Sequence, residues 1–233
     1  MKNMFPLALI LMANVAFAAS EAEIHLKAML DKYASLTIYE DRGRSITNFS
    51  NFDGRNHSRE FNFETRFNEG SSLDFRWSEK PNELEKMAGG SVVKPKEYSV
   101  WKDKTGIYSQ YSRRGEKQYE DLATALSSAT GISSGLAWMI PRWLSPDIPC
   151  PPNLGAKSSE LFESSSDTIV IKQTHTSGGE SKLFIDKATY LLKRYEMEHN
   201  LETGAKIDQV VVFTVINTKN ETPNKSLVRD APR

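Results

Sequence analysis

The apolar run near the end of the chain, Val210–Ile216, constrains the fold more than any other segment. Successive side chains of a strand point to opposite faces, so this run places apolar side chains on both faces. A sheet with one face in water would alternate apolar and polar residues instead. We therefore predict that something covers each face of this strand, and the nature of the cover becomes the functional question.

The same run closes a series of strand-like segments, and turn signals separate them at Gly204 and at Ser177–Gly179. Short connections between such segments predict an antiparallel meander. The predicted strands of this C-terminal set are Glu160–Glu163, Thr168–Thr174, Lys182–Asp186, Tyr190–Glu198 and Val210–Ile216.

A second set of strands is predicted in the N-terminal half. The clearest of them alternates phenylalanine with charged residues, which gives an aromatic face and a charged face. A tight turn is predicted at Arg42–Gly43, between the first two strands. The predicted strands of this set are Thr37–Asp41, Arg44–Phe49, Phe61–Phe67, Leu73–Trp77, Tyr98–Trp101 and Ile107–Tyr111.

Three helical segments accompany the strands. Ser20 and Glu23 have the spacing of a capping box, and an apolar stripe follows them. A second amphipathic helix covers Tyr119–Thr130 and ends at Gly131. A third segment, Leu136–Leu144, is interrupted by Pro141, so a break is expected there. Segregated strands and helices predict an α+β fold in which the helices cover the second apolar face of the sheet.

Composition excludes some classes of function. The chain has 233 residues with 30 basic and 30 acidic side chains, a balance that argues against a nucleic-acid binder. Residues 1–18 have a basic start, a short apolar core and Ala16-Phe17-Ala18 before the cleavage point, which predicts a signal peptide. We expect export to the periplasm of a Gram-negative bacterium, residues 19–233 as one domain, and no transmembrane segment in the mature protein.

Catalytic and metal-binding motifs receive little support. Gly131–Gly135 matches the G-x-S-x-G pattern with Ser133 at its centre, but a hydrolase elbow needs a strand before the serine, and here a helix precedes it. The four histidines lack ligand spacing, so no metal and no cofactor are expected. Cys150 is the only cysteine, and an internal disulfide is therefore impossible.

The aromatic strand face and the Leu136–Leu144 segment are the remaining candidate site. A plain packed core is one interpretation, because aromatic residues in strands are usually buried. A curved sheet with helices over its concave side can also enclose an apolar cavity with a movable lid. We predict that this cavity is lined by Phe61, Phe63, Phe67, Phe75, Trp77, Leu136, Trp138, Met139, Ile140 and Trp143.

Short matches along the mature chain resemble one family, the periplasmic lipoprotein-carrier superfamily of LolA and LolB, which also includes the RseB-type stress sensor. More narrowly, the chain resembles an exported branch of that group. The residues that carry the resemblance are Met29–Tyr39, Asp41–Gly43, Phe63–Phe67, Ala129–Gly135, Pro141, Leu183–Asp186, Thr189, Leu191, Leu192, Arg194, Asn217 and Pro223.

The resemblance implies an incomplete, unclosed antiparallel β-barrel whose concave apolar face is covered by helices. It also implies that acyl chains or a lipid-like group bind there. Known carriers hold their closed state with an arginine in the lid region, and Arg142 is not aligned with that residue. The leading hypothesis is a non-enzymatic protein that binds lipid or lipoprotein acyl chains. An envelope interaction or sensor module with a protein partner is the alternative, and a serine esterase at Ser133 is the third.

Overall fold

The computed structural model describes residues 20–52, 54–81, 95–112, 114–145, 148, 151 and 153–220. The predicted signal peptide, Cys150 and most of the segment between Glu79 and Lys96 lie outside these residues. In the described part of the chain, eleven strands form one sheet in the order β6-β5-β4-β3-β2-β1-β11-β10-β9-β8-β7. The bounds of the strands are β1 Leu36–Phe52, β2 Arg55–Asn68, β3 Ser72–Glu79, β4 Lys96–Asp103, β5 Gly106–Tyr111, β6 Glu116–Tyr119, β7 Ser158–Ser164, β8 Thr168–Thr174, β9 Glu180–Asp186, β10 Leu192–Asn200 and β11 Lys206–Asn220.

Every neighbouring pair in this sheet is antiparallel, and β6 and β7 form its two free edges. The sheet is therefore an unclosed barrel, as predicted. Its two halves are the meanders β1–β6 and β7–β11, and the pairing of β1 with β11 joins them at the centre. The helices are α1 Glu21–Ala34, α2 Leu122–Thr130, a 3-10 helix Leu136–Trp138 and α3 Ile140–Leu144.

Helix α1 begins as the sequence predicts. The Ser20 hydroxyl accepts the Glu23 amide, and the Glu23 carboxylate accepts the Ser20 amide, which completes the capping box. A cap of this kind stabilises a helix by about 1 kcal/mol. The buried side of the helix presents Leu26, Met29 and Tyr33 to the sheet. The first helix is therefore part of the cover over the sheet.

Strand β1 corrects one prediction. The turn expected at Arg42–Gly43 does not exist, and β1 runs without interruption from Leu36 to Phe52. Gly43 pairs with Phe63 on one side and with Phe213 on the other. The glycine is needed because the Phe63 ring occupies the space where a side chain would stand, not because the chain reverses there.

Strand β11 corrects a second prediction. Val211 and Phe213 are buried in the core, whereas Val212 and Ile216 on the other face are 46% and 53% exposed. The helices lie on the Val211 face, so the expectation that both faces are covered is wrong for the described residues. We call the helix-covered face of the sheet the inner face and the opposite one the outer face.

The predicted third helical segment breaks one residue group earlier than expected. Met139 separates the 3-10 helix from α3 with a φ of −90° and a ψ of −112°. Pro141 lies in the first turn of α3, where a missing amide costs no hydrogen bond. Tyr119, which was assigned to the second helix, ends β6 instead, and β6 itself was not predicted.

Candidate functional site

The inner face of the sheet and the helices above it bring together the residues predicted to line a cavity. Seven of them are buried: Phe61, Phe63, Phe75, Trp77, Leu136, Ile140 and Trp143. The other three, Phe67, Trp138 and Met139, are half-buried and pack against the same core. The sequence therefore identified a true cluster. Its role as the lining of a ligand site stays a prediction.

Aromatic rings form a continuous path across the strands of this face. Phe63 lies 5.4 Å from Phe213 and 6.4 Å from Phe75, measured between ring centroids. Trp77 stacks on Phe75 at 5.2 Å and on Tyr98 at 5.4 Å. Such pairs contribute about 0.5–1.5 kcal/mol each beyond their buried area. The path gives the inner face a rigid apolar floor.

One polar atom in this floor has no hydrogen-bond partner among the described residues. The indole Nε1 of Trp77 is buried and unpaired there. A buried N–H donor without an acceptor costs about 1–3 kcal/mol. The floor therefore offers one unused donor to an oxygen atom that enters from the side of the helices.

Residues 131–145, which we call the cover segment, are tied to the sheet by two side chains that the sequence interpretation missed. Arg59 Nη2 of β2 donates to the Ile132 carbonyl at 3.3 Å, and Gln209 Nε2 of β11 donates to the Ser134 carbonyl at 2.8 Å. Both are polar residues at inward-facing strand positions. That departure from an apolar pattern is the signal that could have identified them.

Arg59 is fixed by further contacts. Its Nε lies 2.8 Å from Glu79 Oε1, and its guanidinium lies 4.8 Å from the centre of the Phe61 ring. Arg142 has a different role, because its guanidinium lies over the Trp138 ring at 4.8 Å within the cover segment. The arginine that connects cover and sheet is therefore Arg59.

The backbone of the cover segment adopts left-handed conformations next to its anchors. Ser134 has a φ of 51° and Gly135 a φ of 85°. For a serine this conformation is uncommon and is held in place by its surroundings. Anchored carbonyls on either side of Ser133 provide such surroundings.

Ser133 itself is part of a helix end and not of a nucleophile elbow. Its side chain is buried, donates to the Thr130 carbonyl at 3.3 Å and accepts the Ala137 amide at 3.2 Å. Helix α2 precedes it, as the sequence indicates, and the strand that the hydrolase pattern requires is not there. The hydroxyl is used for capping.

A buried carboxylate lies where α1 meets the sheet. Asp41 accepts the Tyr39 hydroxyl at 2.8 Å and the Thr65 amide at 2.9 Å. Burial raises the pKa of the Asp41 carboxyl to about 6, and the two hydrogen bonds oppose this effect. Burial also raises the pKa of Tyr33, whose hydroxyl accepts the Leu192 amide at 3.1 Å. The apolar core thus contains one titratable polar cluster.

Histidines and metal-binding groups were also considered. In the described ranges no group of three or more histidine, cysteine, aspartate or glutamate side chains could hold a metal ion. His175 Nε2 lies 2.9 Å from the Ser181 hydroxyl. Burial, and then the neighbouring His199, lower the pKa of His175. None of the described helices is long and apolar enough to cross a membrane.

Comparison with known proteins gives distant similarities only. No protein-family model matches the chain, and no curated protein matches it. Among solved structures, the chain is similar to one in the complex of MucA and MucB from Pseudomonas aeruginosa, with 12% identity and a TM-score of 0.40. The match covers 87% of this chain and 59% of that one.

Two further solved structures are similar along most of their length. One is a putative outer membrane lipoprotein-sorting protein domain from Vibrio parahaemolyticus, with 9% identity, a TM-score of 0.34, and coverage of 88% of this chain and 94% of that one. The other is a LolA superfamily protein from Nitrosomonas europaea, with 11% identity, a TM-score of 0.31, and coverage of 92% and 96%. The superfamily named from the sequence is therefore among those similar to this chain, at a level too low to transfer a ligand or a partner.

Proposed function

We propose that this protein is an exported, non-catalytic binding protein that holds a hydrophobic ligand between the inner face of its sheet and the cover segment. The ligand class is a lipid or the acyl chain of a lipoprotein. The observation that carries the proposal is the attachment of the cover segment to an aromatic floor through the side chains of Arg59 and Gln209. The predicted signal peptide at residues 1–18 supports export to the periplasm.

The closed form can exchange its own side chains for those of a ligand. Leu136, Ile140 and Trp143 of the cover helices are buried against the core. Exposing an apolar side chain of this size costs about 1.5–3 kcal/mol. A hydrocarbon chain on the inner face would restore most of that burial. Opening without a ligand is therefore unfavourable, and opening with one is nearly balanced.

The polar contacts of the cover limit what has to break. Releasing it requires loss of the Arg59 bond to Ile132 and of the Gln209 bond to Ser134, at about 1–3 kcal/mol each. The Trp77 Nε1 donor then becomes available to an ester or carboxyl oxygen. A ligand with a hydrocarbon chain and one oxygen acceptor fits these groups better than a charged metabolite, which would be desolvated without a partner.

The test is native mass spectrometry of mature protein purified from the periplasm without detergent, followed by organic extraction. Uptake of a fluorescent fatty acid is measured alongside, in the wild type and in Arg59→Gln. We expect a bound mass that extracts as a lipid, and faster uptake in the variant. Arg44→Gln is the matched control, because Arg44 lies on the outer face in an ion pair with Glu60. An apo mass together with no uptake by wild type or Arg59→Gln would overturn the proposal.

A protein partner is the second candidate, and a specific surface favours it. Phe162, Val212 and Ile216 are 54%, 46% and 53% exposed on the sheet. Exposed apolar side chains in a group mark interaction surfaces. A photo-crosslinking residue at Val212 should capture one envelope protein stoichiometrically, and the same residue at the exposed outer position Asn48 should not. Equal capture at both positions would contradict a specific partner.

A further inference from the structure

A broad groove lies on the outer face of the N-terminal half of the sheet, opposite the cover segment. Its volume is about 1100 Å³, and it crosses strands β1 to β5. The register of the strands arranges its lining in two rows. One row contains Arg42, Glu64 and Arg76, and the next contains Arg66 and Asp74. The groove is polar, unlike the inner face.

The charged side chains of the groove present cations outward. Arg42 Nε lies 2.7 Å and Arg66 Nη2 lies 3.2 Å from the same Glu64 carboxylate, while Arg76 Nη2 lies 2.7 Å from Asp74. The three arginine side chains are 57–64% exposed, whereas Glu64 and Asp74 are 32% and 21% exposed.

The two acids therefore lie beneath three guanidinium groups and hold them in place. Each guanidinium has five N–H donors, of which these ion pairs use only some. A molecule entering the groove meets ordered donors and a net positive charge. Such a surface recognises carboxylate, phosphate or sulfate groups in a defined geometry.

An aromatic platform continues the second row. Trp101 pairs with Asp74 across the strands and stacks on Tyr108, with 5.4 Å between the ring centroids. The Tyr108 hydroxyl donates to the Thr105 carbonyl at 3.0 Å, which fixes the ring over the turn at Gly106. The indole face is thus held in place on the outer surface of the sheet, beside the arginines.

We propose that this groove binds an anionic oligosaccharide, with a sugar ring on the face of Trp101 and its acidic group on Arg66 and Arg76. Arg66 and Trp101 lie two strands apart in the same row, roughly 10 Å at the usual strand spacing. That separation suits neighbouring residues of one glycan. This inference goes beyond the proposed function, because it concerns the other face of the sheet and a polar ligand.

The chemistry of the lining favours a glycan over a lipid or an apolar peptide. Side chains with planar polar groups, among them Asn62 and Gln110, surround the arginines, and serines fill the gaps between them. Planar polar groups match neighbouring sugar hydroxyls, and an aromatic face packs against the C–H groups of a sugar ring. A lipid chain would find no apolar floor here.

The test is isothermal titration of the full mature protein with trigalacturonate, with trehalose 6-phosphate, and with neutral galactotriose of the same linkage as the uronate. We expect saturable binding of at least one anionic sugar, weakened by added salt, and at least roughly tenfold weaker binding of the neutral one. The tighter of the two anionic probes identifies uronate or sugar phosphate as the source.

Variants locate the binding. Arg76→Gln and Trp101→Ala should each lower the affinity at least about tenfold, and Trp101→Tyr should restore part of it because the platform remains. Arg194→Gln is the control, since Arg194 pairs with Glu196 on the outer face outside this groove. Far-UV circular dichroism checks folding of each variant. Absence of binding by both anionic sugars, equal binding of the neutral sugar, or full affinity in Arg76→Gln would overturn the inference, whatever the lipid experiment shows.

Discussion

The ring of Phe63 lies directly over Gly43 of the neighbouring strand, in the space that a side chain at position 43 would need. A Cβ there would overlap the Phe63 ring and stand 2.5 Å from the Val212 carbonyl oxygen. The relationship holds three strands together at the centre of the sheet, because Gly43 pairs with both Phe63 and Phe213. Packing of an aromatic ring on a strand glycine also pins the register of the strands.

Gly43→Ala should therefore be strongly destabilising. The added methyl group must displace either a buried ring or a backbone carbonyl, and overpacking of this kind costs about 1–3 kcal/mol or more. Urea unfolding should show a lower midpoint with an unchanged slope. Gly131→Ala is the matched control, since Gly131 has a φ of −64° and open space around it. Equal losses in the two variants would contradict the packing relationship.

Asp41 should make stability depend on pH in the acid range. Its pKa is about 6 in the folded protein and 3.8 as the ordinary value, so the folded state binds the proton more tightly. The stabilising contribution is complete below about pH 3.8 and is lost as the pH rises towards 6, a change of about 3 kcal/mol at 1.36 kcal/mol per pKa unit. Asp41→Asn should gain stability relative to the wild type over that range.

Chemical unfolding of both proteins at several pH values between 4 and 7 measures this difference. Asp121→Asn provides the opposite sign, because hydrogen bonds from Thr124 lower the pKa of Asp121 at the start of α2. That contribution is present above the ordinary pKa and lost as the pH falls. A pH-independent difference for Asp41→Asn would show that the carboxyl is not buried as described.

The anchors of the cover segment should control its opening. Arg59→Gln removes the ion pair to Glu79 and the bond to the Ile132 carbonyl, at a combined cost of about 1–3 kcal/mol. Hydrogen exchange of the amides in residues 131–145 should accelerate about tenfold for each 1.4 kcal/mol, while the central strands stay protected. Arg44→Gln should leave the exchange unchanged. Acceleration throughout the sheet would indicate global destabilisation instead.

Ser133 should matter for stability through its hydrogen bonds. Ser133→Ala leaves the buried Ala137 amide without its acceptor, which should cost about 1–3 kcal/mol in the free energy of unfolding. Ser127→Ala is the control, because Ser127 is exposed on α2 and bonds only to the Ala123 carbonyl of the same helix. Thermal unfolding separates the two. A neutral effect at position 133 would remove its capping role.

The features that the sequence predicted are those whose causes are local. The Ser20 capping box depends on residues three positions apart, and the Phe61–Phe67 strand depends on a period of two. Both can be read directly from the chain. The aromatic cluster was predicted for the same reason, since each strand carries its own alternating pattern.

The features that the sequence did not reveal depend on distant partners. Gly43 was interpreted as a turn because the ring that requires a glycine comes from another strand. Arg59 and Gln209 are unremarkable polar residues until the fold places the carbonyls of the cover segment beside them. Strand β6, Glu116–Tyr119, is polar and short, and only its pairing with β5 defines it.

The pairing of the first strand with the last has a consequence for biosynthesis. The Thr37 hydroxyl donates to the Lys219 carbonyl across 182 positions of sequence, so this junction cannot form until almost the whole chain has been made. Until then β1 is a 17-residue edge with unpaired backbone groups, the kind of edge that recruits other chains. Contacts of such long sequence separation also slow folding. A chain delivered from its N-terminus would expose this edge for as long as its final strand is missing, and a chaperone bound to β1 would protect it.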